Sequence, residues 1–289
     1  MSAGLRLTTL RLPSGLGLHV AEQGVRDSPV VLMLHGYTDS WFSFSRILPL
    51  LPWDLHVLVP DQRGHGGSDR PLDGYTPDDF AGDAIQLLDM LGIEKASVVG
   101  HSMGSFVAQR IAARVPERVS HLVLIGSAPT ARNPVTEELM EEVWTLADPV
   151  DADFVRAFQT STLHRPVPAA FLEQIVAESQ KVPAWVWKAA LAGLLDSDLT
   201  PGLASIHCPT LILGGDRDAV FAPSEQEQLA SIIPGAIIRI YRDIGHDLQW
   251  EAPEDFVAEL LAFVHPTQPP QVSPTASRSH PTERSRKSL

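Results

Sequence analysis

Short apolar runs alternate with longer amphipathic stretches over residues 5–265 of this chain. Most runs are rich in Val and Ile and end near Gly, Pro or Asp, as expected of strands buried on both faces of a mainly parallel sheet. The predicted strands are residues 5–12, 16–21, 30–34, 57–60, 97–99, 122–125, 211–213 and 236–241. Strands that alternate with helices in this way predict a doubly wound α/β fold.

The stretches between the strands carry helix signals. Residues 77–91 begin with Thr76 as a cap and Pro77 at the first helical position, and Gly92 ends them. The first two strands flank a Pro-Ser-Gly turn at 13–15, which indicates a hairpin. The other helices predicted for this layer are residues 103–114, 223–232 and 254–264.

The alternation is interrupted once, between Ile125 and Leu211, where only helical patterns occur. They lie at residues 135–146, 151–162, 169–181 and 185–195. We therefore predict a helical cap at residues 130–205, inserted into a core formed by residues 1–129 and 206–265. Residues 266–289 are rich in Pro, Ser, Thr and basic residues and are expected to be a disordered tail, because they can bury too little apolar surface to offset their ordering entropy.

Composition and charge exclude several classes of function. Of the 289 residues, 44% are hydrophobic and 20% charged, which is typical of a globular protein. The net charge of −13 argues against nucleic-acid and membrane partners. Cys208 is the single cysteine, which excludes an internal disulfide and a multi-cysteine metal site. With no apolar run of about 18 residues and no signal-peptide pattern, we expect a cytoplasmic protein.

The strongest chemical signal is Gly-x-Ser-x-Gly at residues 100–104, directly after a predicted strand and directly before a predicted helix. A serine on so tight a turn is strained, and neighbours without a Cβ let the turn close. The following helix places free backbone N–H groups and a partial positive charge beside the serine. This context indicates that Ser102 is a nucleophile rather than an ordinary turn residue.

Five segments in a fixed order resemble the α/β-hydrolase superfamily. They are Leu-His-Gly-Tyr at 34–37, Asp-Gln-Arg-Gly-His-Gly-Gly-Ser at 61–68, the serine turn at 100–104, Gly-Gly-Asp-Arg-Asp at 214–218 and Gly-His-Asp at 245–247. The resemblance covers residues 5–265. It implies an eight-stranded, mostly parallel sheet with the helical cap inserted after the sixth strand.

The resemblance also implies a catalytic triad. Ser102 would be the nucleophile, His246 the base that takes its proton, and Asp218 the acid that orients the imidazole. Asp216 stays open as an alternative acid, since it follows the same strand. The backbone N–H groups of Tyr37 and Met103 would stabilise the oxyanion. No cofactor is implied, and no cluster in the sequence suggests a metal.

The resemblance and the aromatic residues together suggest the substrate. Trp41, Phe158 and Trp185 are predicted to line an apolar pocket that takes a small or medium hydrophobic carboxylic ester or lactone. Two alternatives stay open: C–C bond hydrolysis of a diketone-like ring-cleavage product, and ligand sensing by a regulatory protein on a hydrolase scaffold. Epoxide hydrolases and haloalkane dehalogenases of this family carry Asp at the position of Ser102, which argues against both activities here.

Overall fold

A computed structural model of the chain describes residues 4–264. Eight strands form a single sheet in these residues, in the order β1-β2-β4-β3-β5-β6-β7-β8. The strands are β1 (Arg6–Arg11), β2 (Gly17–Gln23), β3 (Val30–Leu34), β4 (His56–Pro60), β5 (Ala96–His101), β6 (Val119–Ile125), β7 (Thr210–Gly215) and β8 (Ile237–Tyr241). The β1–β2 hairpin is antiparallel and β2 is antiparallel to β4, whereas β3 to β8 are all parallel. The predicted eight-stranded, mostly parallel sheet is therefore confirmed.

Both faces of the sheet are buried, which explains why its strands are apolar throughout. Successive side chains of a strand point to opposite faces. On β3, Val31 and Met33 enter one hydrophobic cluster, while Leu32 and Leu34 enter the other. All four are at most 1% exposed. Full burial of such a side chain stabilises the fold by about 1.5–3 kcal/mol, so both helical layers are needed.

Helices cover the two faces as expected of a doubly wound sheet. Those outside the cap are α1 (Pro77–Met90), α2 (Met103–Arg114), α8 (Pro223–Ile232), α9 (Leu248–Glu251) and α10 (Pro253–Val264). Buried side chains of α1, α2 and α8 belong to the cluster that contains Leu32, and those of α10, with Leu248 of α9, belong to the cluster that contains Val31. Thr76 caps α1 and forms a capping box with Asp79, which satisfies N–H groups of its first turn.

The predicted insertion after β6 is confirmed as a run of five helices. They are α3 (Pro134–Trp144), α4 (Ala152–Ser161), α5 (Ala169–Ser179), α6 (Ala184–Leu195) and α7 (Thr200–Leu203). Their buried residues, such as Val143, Val155 and Trp187, join the hydrophobic cluster of one sheet face, so the insertion packs as part of the same core. The predicted disordered tail, 266–289, lies outside the described residues. Within residues 4–264, every helix is too short or too polar to cross a bilayer.

Candidate active site

The turn between β5 and α2 holds Ser102 in a strained conformation. Ser102 has φ 50° and ψ −121°, a backbone conformation that residues other than glycine rarely adopt. It directly precedes the first residue of α2. A Cβ on Gly100 would clash with the carbonyl oxygen of Gly104, and a Cβ on Gly104 would clash with that of Leu34. The two glycines therefore allow β5, α2 and β3 to meet closely enough to expose Ser102 on the turn.

Buried hydrogen bonds beneath the turn offset its strain. The Ser105 hydroxyl donates to the Ser102 carbonyl oxygen at 2.6 Å and lies 2.7 Å from the Ser127 hydroxyl. Gln109 Nε2 donates to the same Ser127 hydroxyl at 2.8 Å. The Ser102 N–H donates to the Ile125 carbonyl oxygen at 3.0 Å. A strained backbone persists only where several contacts hold it in place, and these hydrogen bonds hold the turn at Ser102.

His246 follows β8 and is held by Asp218, which follows β7. The His246 Nδ1 lies 2.9 and 3.1 Å from the two carboxylate oxygens of Asp218, and both residues are buried. The carboxylate also accepts the N–H groups of Val220 and Phe221 at 2.8 and 2.9 Å, and Gln226 Nε2 at 3.2 Å. These donors orient Asp218, which in turn leaves Nε2 as the free nitrogen of the imidazole.

The two candidate acids differ in what they contact. Asp216 accepts the N–H of Asp243 at 2.6 Å and shapes the loop after β7, without contact to the imidazole of His246. Asp218 is the acid that reaches His246. Asp216 therefore has the turn role that Asp residues often take in loops.

Ser102 and His246 line the same cavity. Within residues 4–264 the buried Nε2 of His246 has no hydrogen-bond partner, so it is available to a hydroxyl or a ligand. Burial by itself would lower the pKa of His246, but the carboxylates of Asp218, Asp247 and Asp39 outweigh burial and raise the pKa to about 9. These acids therefore stabilise the imidazolium, the form that His246 takes once its Nε2 has accepted a proton.

Two backbone amides beside Ser102 are free. In the described part of the chain, neither the N–H of Met103 nor that of Tyr37 donates a hydrogen bond. The loop that carries Tyr37 is fixed by Gln62, whose N–H donates to His35 Nε2 and whose Nε2 donates to the His35 carbonyl oxygen, both at 2.9 Å. Burial lowers the pKa of His35 to about 3, which keeps the ring neutral so that Nε2 can accept.

The cavity has a volume of about 360 Å³ and is lined mostly by apolar side chains. Phe158 on α4 lines it, as predicted, together with Tyr37, whose ring packs edge-on against Phe158. Trp41 and Trp185 do not line it, contrary to the prediction. Trp41 packs with the cluster on the other face of the sheet, and Trp185 stacks edge-on against Tyr75. The remaining aromatic lining comes from Phe154, Phe221 and Trp250.

Two buried acids also line the cavity, and sequence reasoning missed both. Asp39 and Asp247 are 3% and 1% exposed. Burial and the charge of Asp247 raise the pKa of Asp39 to about 8, and burial raises the pKa of Asp247 to about 7. A signal was present, because each acid stands within two residues of a predicted site residue, Tyr37 or His246.

The opening of the cavity is acidic as well. The exposed Glu138 and Glu142 of α3 line its rim, and residues 4–264 contribute neither Lys nor Arg to the lining. Among residues 4–264, no group of three or more His, Cys, Asp or Glu side chains is arranged to hold a metal ion. The acids of the cavity are therefore not arranged as a metal centre.

Comparisons with known proteins agree with this architecture. The family model described as alpha/beta hydrolase fold matches residues 29–253. Epoxide hydrolase A of Mycobacterium tuberculosis is 26% identical over 87% of this chain and 95% of its own length. The 2-hydroxymuconate semialdehyde hydrolase of a Pseudomonas species is 30% identical over 81% of this chain and 86% of its own. A thermophilic esterase from Thermogutta terrifontis, 26% identical, superposes with a TM-score of 0.74 over 90% of this chain and 99% of that structure. The chain belongs to the α/β-hydrolase fold family.

Proposed function

We propose that this protein is a serine hydrolase that cleaves a small or medium carboxylic ester or lactone through an acyl-enzyme. One observation carries the proposal. Asp218 holds the imidazole of His246 at Nδ1, Nε2 has no hydrogen-bond partner within residues 4–264, and His246 and Ser102 line the same cavity. That arrangement supplies a nucleophile, a base and an orienting acid, which are the parts that acyl transfer needs.

The reaction follows from this geometry. Ser102 Oγ bonds to the substrate carbonyl carbon while its proton passes to His246 Nε2. The carbonyl oxygen becomes an oxyanion that the N–H groups of Tyr37 and Met103 stabilise, each donor being worth about 2.7–4 kcal/mol in the transition state. Collapse breaks the ester bond, and the leaving alkoxide takes the proton from His246. A water molecule then attacks the acyl-enzyme and gives its proton to His246. The bond between the acyl carbon and Ser102 Oγ breaks, Ser102 Oγ takes the proton back from His246, and the acid is released.

The cavity supports an ester or lactone of limited size. Its volume of about 360 Å³ lies at the lower end of the range for small-molecule sites. Its lining is mostly apolar, which suits an acyl or ring portion without a carboxylate. Ser102 is also the wrong nucleophile for an epoxide, whose opening by this family uses a carboxylate, so the similarity to an epoxide hydrolase is not carried over to this chain.

Hydrolysis of a C–C bond is the second candidate, favoured by the similarity to 2-hydroxymuconate semialdehyde hydrolase. A muconate-type substrate carries a carboxylate, which needs a cationic or strong donor group in a buried site. The cavity instead offers Asp39, Asp247 and the rim acids Glu138 and Glu142, and the described part of the chain adds neither Lys nor Arg to its lining. This charge distribution favours the ester or lactone.

The test compares wild type with Ser102→Ala on panels of p-nitrophenyl esters, lactones and a vinylogous diketone acid. We expect ester or lactone turnover in wild type and a loss of about 10⁴-fold or more in Ser102→Ala. A fluorophosphonate probe should label Ser102, as mapped by peptide mass spectrometry. Full turnover by Ser102→Ala would refute the mechanism. Faster turnover of the diketone acid would favour the C–C alternative, and ligand binding without any turnover would favour a sensing role.

A further inference from the structure

The loop after β3 reaches into the cap with the side chain of Tyr37, whose N–H is one donor of the proposed oxyanion hole. The Tyr37 hydroxyl donates to the Trp187 carbonyl oxygen of α6 at 2.6 Å. Its ring packs edge-on against Phe158 of α4 and against the indole of Trp187, with centroids 5.8 and 5.3 Å apart. Burial raises the pKa of Tyr37, so the hydroxyl keeps its proton and stays a donor. The residue that would hold the oxyanion therefore contacts two cap helices.

The next two residues of this loop also contact the cap. The Asp39 carboxylate accepts Gln159 Nε2 of α4 at 3.1 Å, and the same amide donates to the hydroxyl of Ser179, the last residue of α5, at 2.9 Å. The Thr38 hydroxyl lies 3.4 Å from that of Ser179. All four residues are at most 3% exposed, so water does not compete for these contacts. Three successive loop residues thus contact three different cap helices.

The backbone of the loop is strained at Thr38. Its φ is 64°, in the left-handed region that β-branched residues rarely adopt, and such a conformation persists only where contacts hold it in place. The core holds the loop at its two ends, where the Gln62 N–H donates to His35 and the Asp61 carboxylate accepts the Trp41 N–H at 2.6 Å. The strained middle of the loop lies between these ends, where the contacts with the cap occur.

We propose that the cap positions the oxyanion hole, with Ser179 and Gln159 as positioning residues that keep the N–H of Tyr37 in place for the substrate carbonyl oxygen. This inference rests on the proposed hydrolase function. An oxyanion donor acts over a narrow range of distances, about 2.7–3.1 Å from the charged oxygen. Because Thr38 and Asp39 directly follow Tyr37, a displacement of either residue moves Tyr37 as well. Ser179 does not line the cavity, so it acts through the loop and not by contact with the substrate.

The test removes single oxygen atoms from these contacts. Tyr37→Phe deletes the hydroxyl that donates to α6 and keeps both the ring and the backbone N–H, whereas Ser179→Ala deletes the hydroxyl that Gln159 and the loop share. Arg70→Ala is the matched control, because Arg70 Nη2 donates to the Lys181 carbonyl oxygen at 3.0 Å and so joins the core to the segment just after α5, away from Tyr37. Gln159 itself lines the cavity, and its replacement would change the substrate site as well.

The readout is the ratio of kcat/KM for phenyl butyrate to kcat/KM for O-phenyl thionobutyrate, both followed by release of phenol. Sulfur in place of the carbonyl oxygen forms a larger anion that accepts hydrogen bonds weakly, so an oxyanion hole favours the oxygen ester. Loss of one donor costs about 10²–10³-fold, and a displaced donor should cost part of that. We expect this ratio and kcat for phenyl butyrate to fall about tenfold in Tyr37→Phe and in Ser179→Ala, with KM within about threefold of wild type.

A general loosening of the protein would lower both rates and leave the ratio unchanged, as we expect for Arg70→Ala. An unchanged ratio in either Tyr37→Phe or Ser179→Ala, with wild-type circular dichroism, would therefore overturn the positioning role of the cap. An equal fall of the ratio in Arg70→Ala would overturn it too. Thr38→Val keeps the shape of its side chain without the hydroxyl and replaces a variant that fails to fold.

Hydrogen exchange followed by mass spectrometry separates this inference from the proposed function. Peptides that cover residues 36–45 should exchange about tenfold faster in Tyr37→Phe and Ser179→Ala than in wild type and Arg70→Ala, because the loop loses contacts with the cap. This pattern in a protein that turns over no ester would refute the hydrolase function and leave the cap as the support of the loop. Wild-type exchange in both variants would refute the inference while ester hydrolysis stands.

Discussion

At the scale of single residues, two aspartates on one loop differ in what they contact. Asp218 accepts four donors, including the imidazole of His246, whereas Asp216 accepts only the N–H of Asp243 among described residues. The loop after β7 places both side chains within three positions of each other. The sequence could narrow the acid to these two residues, but only the fold shows which one reaches the imidazole.

Asp218 and Asp216 allow a matched pair of substitutions, one at the acid that contacts His246 and one at its neighbour. Asp218→Asn keeps the shape of the side chain but removes the charge that stabilises the His246 cation and fixes its tautomer, so we expect kcat to fall by roughly 10³–10⁴-fold on the best ester. Asp216→Asn should keep kcat within about threefold, because its contact is to a backbone N–H far from the reaction. Steady-state kinetics at one pH measure both. Equal losses in the two variants would contradict the assignment of Asp218.

The burial of the two acids inside the cavity could not be predicted from the sequence. Asp39 and Asp247 stand next to motif residues, but loop acids are usually solvated, so their burial could not be inferred from composition or periodicity. The position of Asp39 depends on a hydrogen bond from Gln159 of the cap, a contact across 120 residues of sequence. Such long-range contacts are set by tertiary packing.

At the scale of elements, the short helix α9 joins the cap to the loop that carries His246. Its last residue, Glu251, accepts the N–H of Gly245 at 3.0 Å and those of His164 and Arg165 at 3.2 and 2.7 Å. The N–H of His246 donates to the Thr162 carbonyl oxygen at 2.9 Å. The loop between α4 and α5 of the cap is thus hydrogen-bonded to His246 itself and to Glu251, which also holds Gly245.

Removal of the Glu251 charge should loosen this junction. We expect Glu251→Gln to lower the free energy of unfolding by about 1–3 kcal/mol, because several backbone N–H groups lose a charged acceptor. It should also lower kcat more than it changes KM, since the position of His246 becomes less fixed. Thermal melts and steady-state kinetics measure the two effects. Glu254→Gln on the exposed face of α10 is the control, and an equal effect there would contradict the role of Glu251.

Elements with a clear pattern could be predicted, and those without one could not. The bounds of α2 and α8 match the prediction because glycine or proline signals mark where they begin. The one-turn helices α7 and α9 were missed, since four residues show no period. The choice of Trp185 for the pocket failed because α6 is apolar on nearly all sides, so its pattern does not reveal which face meets the cavity.

At the scale of the whole molecule, the cavity concentrates groups whose protonation depends on folding. Burial raises the pKa of Asp39 to about 8 and that of Asp247 to about 7, from an ordinary value of 3.8. Against the effect of burial, nearby carboxylates raise the pKa of His246 to about 9 from 6.5. The folded state therefore holds protons, between pH 6.5 and 9, that the unfolded chain has released.

This difference predicts the direction of the pH dependence. Because the unfolded state binds fewer protons in that range, the free energy of unfolding falls as pH rises, by up to about 1.4 kcal/mol per pH unit for each such group. Buried histidines such as His35, whose pKa is lowered to about 3, change the free energy of unfolding only below pH 6.5, where the unfolded chain takes up their protons. Above pH 6.5 the pH dependence therefore comes from Asp39, Asp247 and His246.

We therefore expect Tm to fall by several degrees between pH 6.5 and pH 9, as measured by calorimetry at constant ionic strength. Asp39→Asn cannot ionise, and it also removes a charge that stabilises the His246 cation, so its Tm should fall less steeply over the same range. Glu227→Gln changes net charge by the same amount on the surface and should keep the wild-type slope. A wild-type Tm that rises towards pH 9, or equal slopes in wild type and Asp39→Asn, would mean that these acids are ionised in the folded protein already at pH 6.5.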